Sequence, residues 1–413
     1  MPSGRPKVIS LFSGAGGLDY GFEAAGFETA VALELDRDAC ETLRTNRKWP
    51  VIEGDIAKVR SDEILELAGA RRGEVDVVIG GPPCQPFSKA GYWATGDSRR
   101  LDDPRAGTLT AYMRVVEDTL PRAFLLENVG GLAFSGKSEG LQLLIRQIRR
   151  INERTRSNYQ PVVKVMRAEE YGVPQRRHRF ILVAGREGQD FHFPSPIHGE
   201  SNSFEGSLPG FGLLPYRTAW DALADCTPPA AVEELEVRGK WGQLLPSIPE
   251  GQNYLFHTER GDGKALFGWR RRYWSFLLKL AKNLPSWTIQ AQPGPAIGPF
   301  HWENRRLSVE ELSRLQTFPQ GLQICGGRRS VQRQLGNAVP SLLAEILARE
   351  IGSQLLQRRL ARGVPKLLPP DRSPAPEAVR PKRVPRQFLR LIGEHIPHPG
   401  TGQGAGAIAR LST

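Results

Sequence analysis

Cys84 lies in Gly81-Pro82-Pro83-Cys84-Gln85-Pro86-Phe87-Ser88, directly after the apolar run Val75–Gly80. Prolines at 82, 83 and 86 fix φ and remove backbone donors, which holds a side chain in one place. A thiol on so stiff a turn suits nucleophilic attack better than burial, and its thiolate is the reactive form. Glu127 follows the apolar segment AFLL in the same way, and an apolar flank would let it hold or give a proton near neutrality. In Gln175-Arg176-Arg177-His178-Arg179, Arg177 and Arg179 alternate onto one face of a strand. The fourth group is the glycine-rich turn Ser13–Gly21, with glycines at 14, 16 and 17 where the backbone must turn into a helix and approach a ligand closely. A dinucleotide fingerprint requires Gly at position 19, and Asp19 stands there instead. The loop therefore suits a nucleoside cofactor without a pyrophosphate. Glu34 can accept from both ribose hydroxyls, and Asp55 from an adenine amine.

These residues need strand ends to position them. From residue 7 to 185, β-branched or continuously apolar runs (VISLF, TAVALEL, VDVVIG, AFLLEN, PVVKVMRA, RFILVAG) alternate with helical stretches such as SDEILELAGA and LQLLIRQIRRI. That alternation indicates an α/β fold with a largely parallel sheet covered on both faces. In such sheets ligands bind beyond the carboxyl ends of the strands, where the glycine loop, Cys84 and Glu127 all fall. From about residue 186 to 304 the pattern dissolves into proline, glycine and aromatics, including six of the eight tryptophans. This reads as a second, irregular domain. Ser308 and Glu311 form a capping box that opens a helix. Another helix follows Pro340, with Leu342, Leu343, Ile346, Leu347, Ile351 and Leu355 on one stripe. The expected layout is a catalytic domain over 1–189, an irregular domain over 190–303, a return to the first domain over 304–356, and a basic, flexible tail over 357–413.

Composition excludes several classes. No run approaches the ~20 apolar residues of a membrane span. The four cysteines (40, 84, 226, 325) show no CxxC pairing, which argues against disulfide scaffolds and cysteine-rich zinc sites and fits a reducing cytoplasm. No metal is expected. Net charge is +12, and the segment from Gln357 onward carries eleven basic residues against three acidic ones, so a polyanionic partner fits.

Six motifs in order resemble those of the cytosine-5 DNA methyltransferases of the bacterial restriction-modification type. LFSGAGG looks like the cofactor loop, ALELD the ribose motif, GPPCQPFS the nucleophile motif, ENV the acid motif, YGVPQRRHRF the arginine motif and QLGNAVP the closing motif. The resemblance spans residues 7 to about 185 and 303 to about 356. Its one departure is Ala106 between Arg105 and Gly107, in the loop after Cys84. The resemblance implies a Rossmann-like, S-adenosylmethionine-dependent methyltransferase sheet with a second, target-recognition domain. It further implies that Cys84 adds to C6 of a flipped-out cytosine in a specific double-stranded DNA sequence, so that C5 takes the methyl group. Glu127 would engage N3 and the exocyclic amine, Arg179 would hold O2, and Arg177 would orient the Cys84 and Glu127 region. Cofactor residues would be Phe12, Ser13, Gly14, Gly16, Gly17, Leu18, Glu34, Leu35, Asp55, Ile56, Asn337 and Ala338, with Phe12 on the adenine opposite Leu35. The closing motif would tie the last ordered helix beside the first strand.

DNA contacts are expected from Ser88 and Arg105 in the loop that closes after Cys84, and from Arg270, Arg271 and Arg272, whose guanidiniums are interleaved with aromatics. Thr288, in SWTIQAQPGP, looks like a backbone-phosphate contact. The expected setting is a bacterial cytoplasm, with the protein a monomer and a cognate restriction endonuclease as partner, neither of which any motif specifies. Among competing readings, an RNA cytosine-5 methyltransferase lacks support because Thr227, not Phe, follows Cys226. Retention of Cys84, Glu127 and Arg179 together speaks against a silent DNA-binding relative.

Overall fold

The computed structural model describes residues 4–83, 107–130, 139–200, 212–227, 232–268, 273–358, 363–393 and 395. The first eight strands among the described residues are β1 (Lys7–Leu11), β2 (Glu28–Glu34), β3 (Val51–Glu53), β4 (Val77–Gly80), β5 (Ala123–Val129), β6 (Val162–Arg167), β7 (Gln175–Arg176) and β8 (His178–Gly185). Seven of them form one sheet in the order β3-β2-β1-β4-β5-β8-β6. The pairings from β3 through β5 are parallel, and β8 runs antiparallel to both neighbours. The strand interiors are apolar on both sides because helices cover both faces. One face packs under Gly107–Thr119 and Glu139–Thr155, with Leu109, Tyr112, Val116 and Ile148 in its core.

The other face is covered by α1 (Gly17–Ala25) and by the returning helix Ser341–Glu350. These two helices lie so close that a Cβ on Gly21 would come within 2.4 Å of both Ala344 Cβ and the Ser341 carbonyl. The last long helix thus rests directly on the first helix, with Val8 of β1 in the same core. The expected capping box is present, Ser308 accepting from the Glu311 amide while Glu311 accepts from the Ser308 amide.

The described part of 190–303 is built mostly from turns, short 3-10 segments and isolated bridges around an aromatic core that includes Tyr254, Phe267, Phe276 and Phe300. One expectation is corrected here. The segment 363–393 is not a loose tail: Phe388 is 2% exposed and stacks on Trp241 with ring centroids 5.9 Å apart. Glu345 accepts from the Lys366 and Leu367 amides, Arg372 holds Asp221, and the Lys382 amide donates to Pro246. A composition rich in proline and arginine reads as a chain without a core of its own. This segment borrows the core of the second domain, and its prolines lower the entropy lost on docking. Among the described residues, no helix is long and apolar enough to cross a membrane.

Candidate active site

A cavity of about 450 Å³ opens at the carboxyl ends of β1, β2, β4 and β5. The glycine turn forms one wall. Phe12, itself at φ 54°, starts the turn, and Gly16 at φ 86° caps α1 in the left-handed region. Phe12, Ser13, Gly14, Gly17 and Leu18 line the cavity. Gly16 does not. A Cβ there would come within 2.9 Å of the Tyr20 ring, so this glycine shapes the turn from behind rather than touching the cavity. Gly17 is fixed by close approach, since a Cβ would lie 2.3 Å from the Val339 carbonyl; at Gly14 the same addition would meet nothing within 4 Å.

The next strand end supplies the acidic end. Glu34 accepts the Gly14 amide at 2.8 Å through one oxygen and the Leu35 and Asp36 amides at 2.8 and 2.9 Å through the other. Its carboxylate is therefore locked against the loop; Oε1 has both lone pairs taken, and Oε2 keeps one for a ligand hydroxyl. Leu35, 68% exposed, lines the cavity with Phe12, as do Asp55 and Ile56. Asn337 and Ala338 close the far wall from the returning segment. The set of an aromatic ring, a leucine and two carboxylates around an open glycine cradle fits a nucleoside carrying a cationic group, as a sulfonium methyl donor does.

The same cavity continues to Glu127, Asn128, Pro82 and Pro83. Antiparallel pairing sets Val129 opposite Arg179, so Glu127 and Arg179 are diagonal neighbours on one face. Their ion pair is 2.6 Å long. Glu127 is 8% exposed, and burial raises its pKa above the usual carboxylate range, an effect that Arg179 and then Arg177 partly offset. Gly81 is needed beside it, because a Cβ there would lie 2.7 Å from Glu127 Oε2. Asn128 donates to the Pro82 carbonyl at 3.0 Å and Thr108 to the Pro83 carbonyl at 3.0 Å, which pins the two residues that precede Cys84. Cys84, Ser88 and Arg105 lie outside the described residues, as do Arg270, Arg271 and Arg272.

Arg177, expected to orient the region of Cys84 and Glu127, is a buried residue. It is 1% exposed, and its guanidinium donates to the Gly336 carbonyl at 2.7 Å and the Ile289 carbonyl at 3.3 Å. It faces Glu127 only through its charge and ties three distant chain segments together beneath the site. Thr288 is exposed and donates to the Arg176 carbonyl at 2.5 Å.

Sequence reasoning missed an ion pair at the cavity wall, Arg333 to Asp36 at 2.5 Å. Asp36 had a local signal as the N-cap of α2 (Arg37–Asn46). Arg333 had none, because the contact spans 297 residues.

Asp19, the residue that breaks the dinucleotide pattern, is wholly buried beneath the loop beside Thr29 and Ser10. Burial raises its pKa from 3.8 to about 7. A raised folded-state pKa means stability that is complete below the unfolded value and is lost as pH climbs through the folded one. Asp19 should therefore remove about 4 kcal/mol of stability between roughly pH 4 and 7, with little change above that. Asp19→Asn should flatten this slope in urea unfolding measured across the window, whereas a slope equal to wild type would disprove the assignment.

A doubly covered sheet with a cavity at its strand ends, running from a glycine turn to a buried carboxylate–guanidinium pair, is the architecture of an enzyme site. The chain belongs to the C-5 cytosine-specific DNA methylases, whose family model matches residues 6–353. It is a DNA cytosine-5 methyltransferase. Its relatives include the type II methyltransferase M.SacI of Streptomyces achromogenes, 40% identical over 372 residues (84% of this chain and 93% of that protein). Another is M.NgoFVII of Neisseria gonorrhoeae, 33% identical over 357 residues (84% and 87%). Among solved structures, a prophage-encoded E. coli chain superposes with a TM-score of 0.61 at 22% identity over 86% of this chain and all of that one, a likeness of fold.

Proposed function

We propose that the protein transfers a methyl group from S-adenosylmethionine to C5 of a flipped-out cytosine in a specific double-stranded sequence, through a covalent bond from Cys84 to C6. The observation that carries the reading is a single cavity shared by the glycine loop, the Glu127–Arg179 pair and Pro83, the residue before Cys84. Phe12 and Leu35 would flank the adenine, Glu34 the ribose, Asp55 and Ile56 the base edge, and Asn337 and Ala338 the amino-acid end. The bound cofactor supplies an electrophilic methyl on a cationic sulfur.

Cytosine C5 is a poor nucleophile, because the ring's electron density sits on nitrogen and oxygen. Addition of the Cys84 thiolate to C6 turns C5 into an enamine-like carbon, which forms the new bond to the methyl carbon. Glu127 gives its proton toward N3 as charge builds there, and Arg179 holds O2. Loss of the C5 proton to a base, expulsion of the Cys84 thiolate and return of the N3 proton to Glu127 restore the ring. C5 and C6 are inaccessible in a stacked duplex, so the base must leave the helix at a cost of a few kcal/mol.

Residues 190–303 read the neighbouring sequence, with Thr288 and Arg270–Arg272 toward the backbone, while Ser88 and Arg105 belong to the loop that closes over the base. The type II naming of the relatives supports a place in a restriction-modification system, beside an endonuclease of the same specificity. In the same proposal the protein acts as a monomer in a bacterial cytoplasm.

Bisulfite sequencing of DNA from cells expressing the protein tests the activity and yields the target. With 5-fluorocytosine at that target, the C5 substituent cannot leave as a proton does, so the complex should be trapped. Mass spectrometry should then find one adduct, on Cys84. An adduct on another cysteine, or none, refutes the covalent route.

A further inference from the structure

We propose that Tyr273 and Trp274, backed by Trp287 and Arg176, form a stacking platform for a nucleobase of the duplex beside the methylation site. The inference rests on the cytosine-5 reading of that site and assigns a surface outside the cavity.

Tyr273 is 80% exposed, the highest value among the large apolar side chains described, and Trp274 is 53% exposed. Single exposed aromatics are ordinary. These two differ because their backbone is held. Asn253 Nδ2 donates to the Trp274 carbonyl at 2.8 Å and Gln290 Nε2 to Ser275 Oγ at 2.8 Å. The Phe276 amide returns to the Tyr273 carbonyl at 2.9 Å, while the Phe276 ring is buried in the second domain's core. The rings therefore project from a backbone segment that is already ordered before binding, a condition that favours net affinity.

The surface behind them is continuous. Trp274 meets Trp287 edge to face at 5.5 Å and 73°, and the Arg176 guanidinium lies over the Trp287 ring at 5.0 Å. This row is joined to the active-site strand. Trp287 pairs with Arg176, and Thr288 donates to the Arg176 carbonyl. The next residue, Arg177, holds the Ile289 carbonyl, and Arg179 holds Glu127. A platform built on the backbone that carries the catalytic arginines keeps a fixed distance from the cavity.

Its chemistry selects the occupant. Aromatic faces edged by a guanidinium match a nucleobase, which offers a π-face and an adjacent phosphate. Extrusion of one cytosine unstacks its neighbours, and a rigid aromatic surface can recover that lost stacking. These are positioning residues and touch no reacting atom.

The test uses the full-length protein and a duplex carrying the sequence found by bisulfite mapping. Trp274→Ala should weaken DNA binding by about 5- to 150-fold, the range of one lost base–aromatic stack. Trp274→Phe should recover part of it, and KM for DNA should rise more than kcat falls. Tyr273→Ala, which removes no core packing, should weaken binding in the same direction with an unchanged thermal midpoint. The slope of log affinity against log salt should stay at its wild-type value in all three, because an aromatic ring releases no counterions. Affinities within twofold of wild type in both alanine variants would overturn the platform. A loss accompanied by a shallower salt slope would also overturn it, since the surface would then be meeting phosphates. A wild-type protein that binds no duplex overturns the reading of the site, and the platform with it.

Discussion

Cys84→Ala is expected to lose methyl transfer by roughly 10⁴-fold or more, the scale on which removal of a covalent nucleophile is felt. DNA binding should persist, because the contacts that hold the duplex come from other residues. The physical reason is that no other group in the proposed site can make C5 electron-rich. Cys40 and Cys226 are poor substitutes, since burial pushes both thiols up to about 12 and leaves almost no thiolate at neutrality. Cys40 also donates its thiol to the Glu34 carbonyl. Tritium transfer from labelled cofactor, run beside a binding assay on the same duplex, separates the two effects. Turnover near wild type would refute the covalent route, and joint loss of both would point to misfolding.

Glu127→Gln is expected to lower kcat by about 10²- to 10⁴-fold, the usual contribution of a positioned proton donor. Glutamine keeps the shape and the acceptor oxygen but cannot deliver a proton to N3. The variant should still bind cofactor, because in the proposed reading Glu127 meets the cytosine and not the cofactor. The pair also has a sign that can be tested. Burial raises the Glu127 pKa while Arg179 pulls it down, so neutralising Arg179 in Arg179→Met should raise it further. Glu127 would then keep its proton to higher pH, and the basic limb of the kcat profile should move up. A basic limb that stays in place in Arg179→Met would exclude Glu127 as the titrating donor.

Much of the site was legible along the chain because each functional group follows its own strand. Glycine spacing after VISLF, Glu34 at the end of TAVALEL, prolines around Cys84 and Glu127 after AFLL are local signals, and a parallel sheet gathers strand ends at one edge by construction. Of the twelve cofactor residues expected, several of them from the family resemblance alone, eleven line the cavity, Gly16 being the exception. The departure at Asp19 was legible too, although its burial under the loop was not.

Contacts between segments far apart in the chain were closed to such reading. The Gly336 and Ile289 carbonyls that Arg177 secures had no local signal, and Arg333 meets Asp36 with no local pattern to announce it. The segment 363–393 looked unstructured until Phe388 found Trp241. The amino-acid order by itself determined the strands, the glycine turn and the kind of chemistry each strand end offers, because those follow from backbone geometry and side-chain type within a few residues. Only the tertiary structure decided which arginine pairs with Glu127, where the last segment docks and which aromatics remain outside. Those outcomes depend on burial and charge between groups that meet only after the chain has closed on itself.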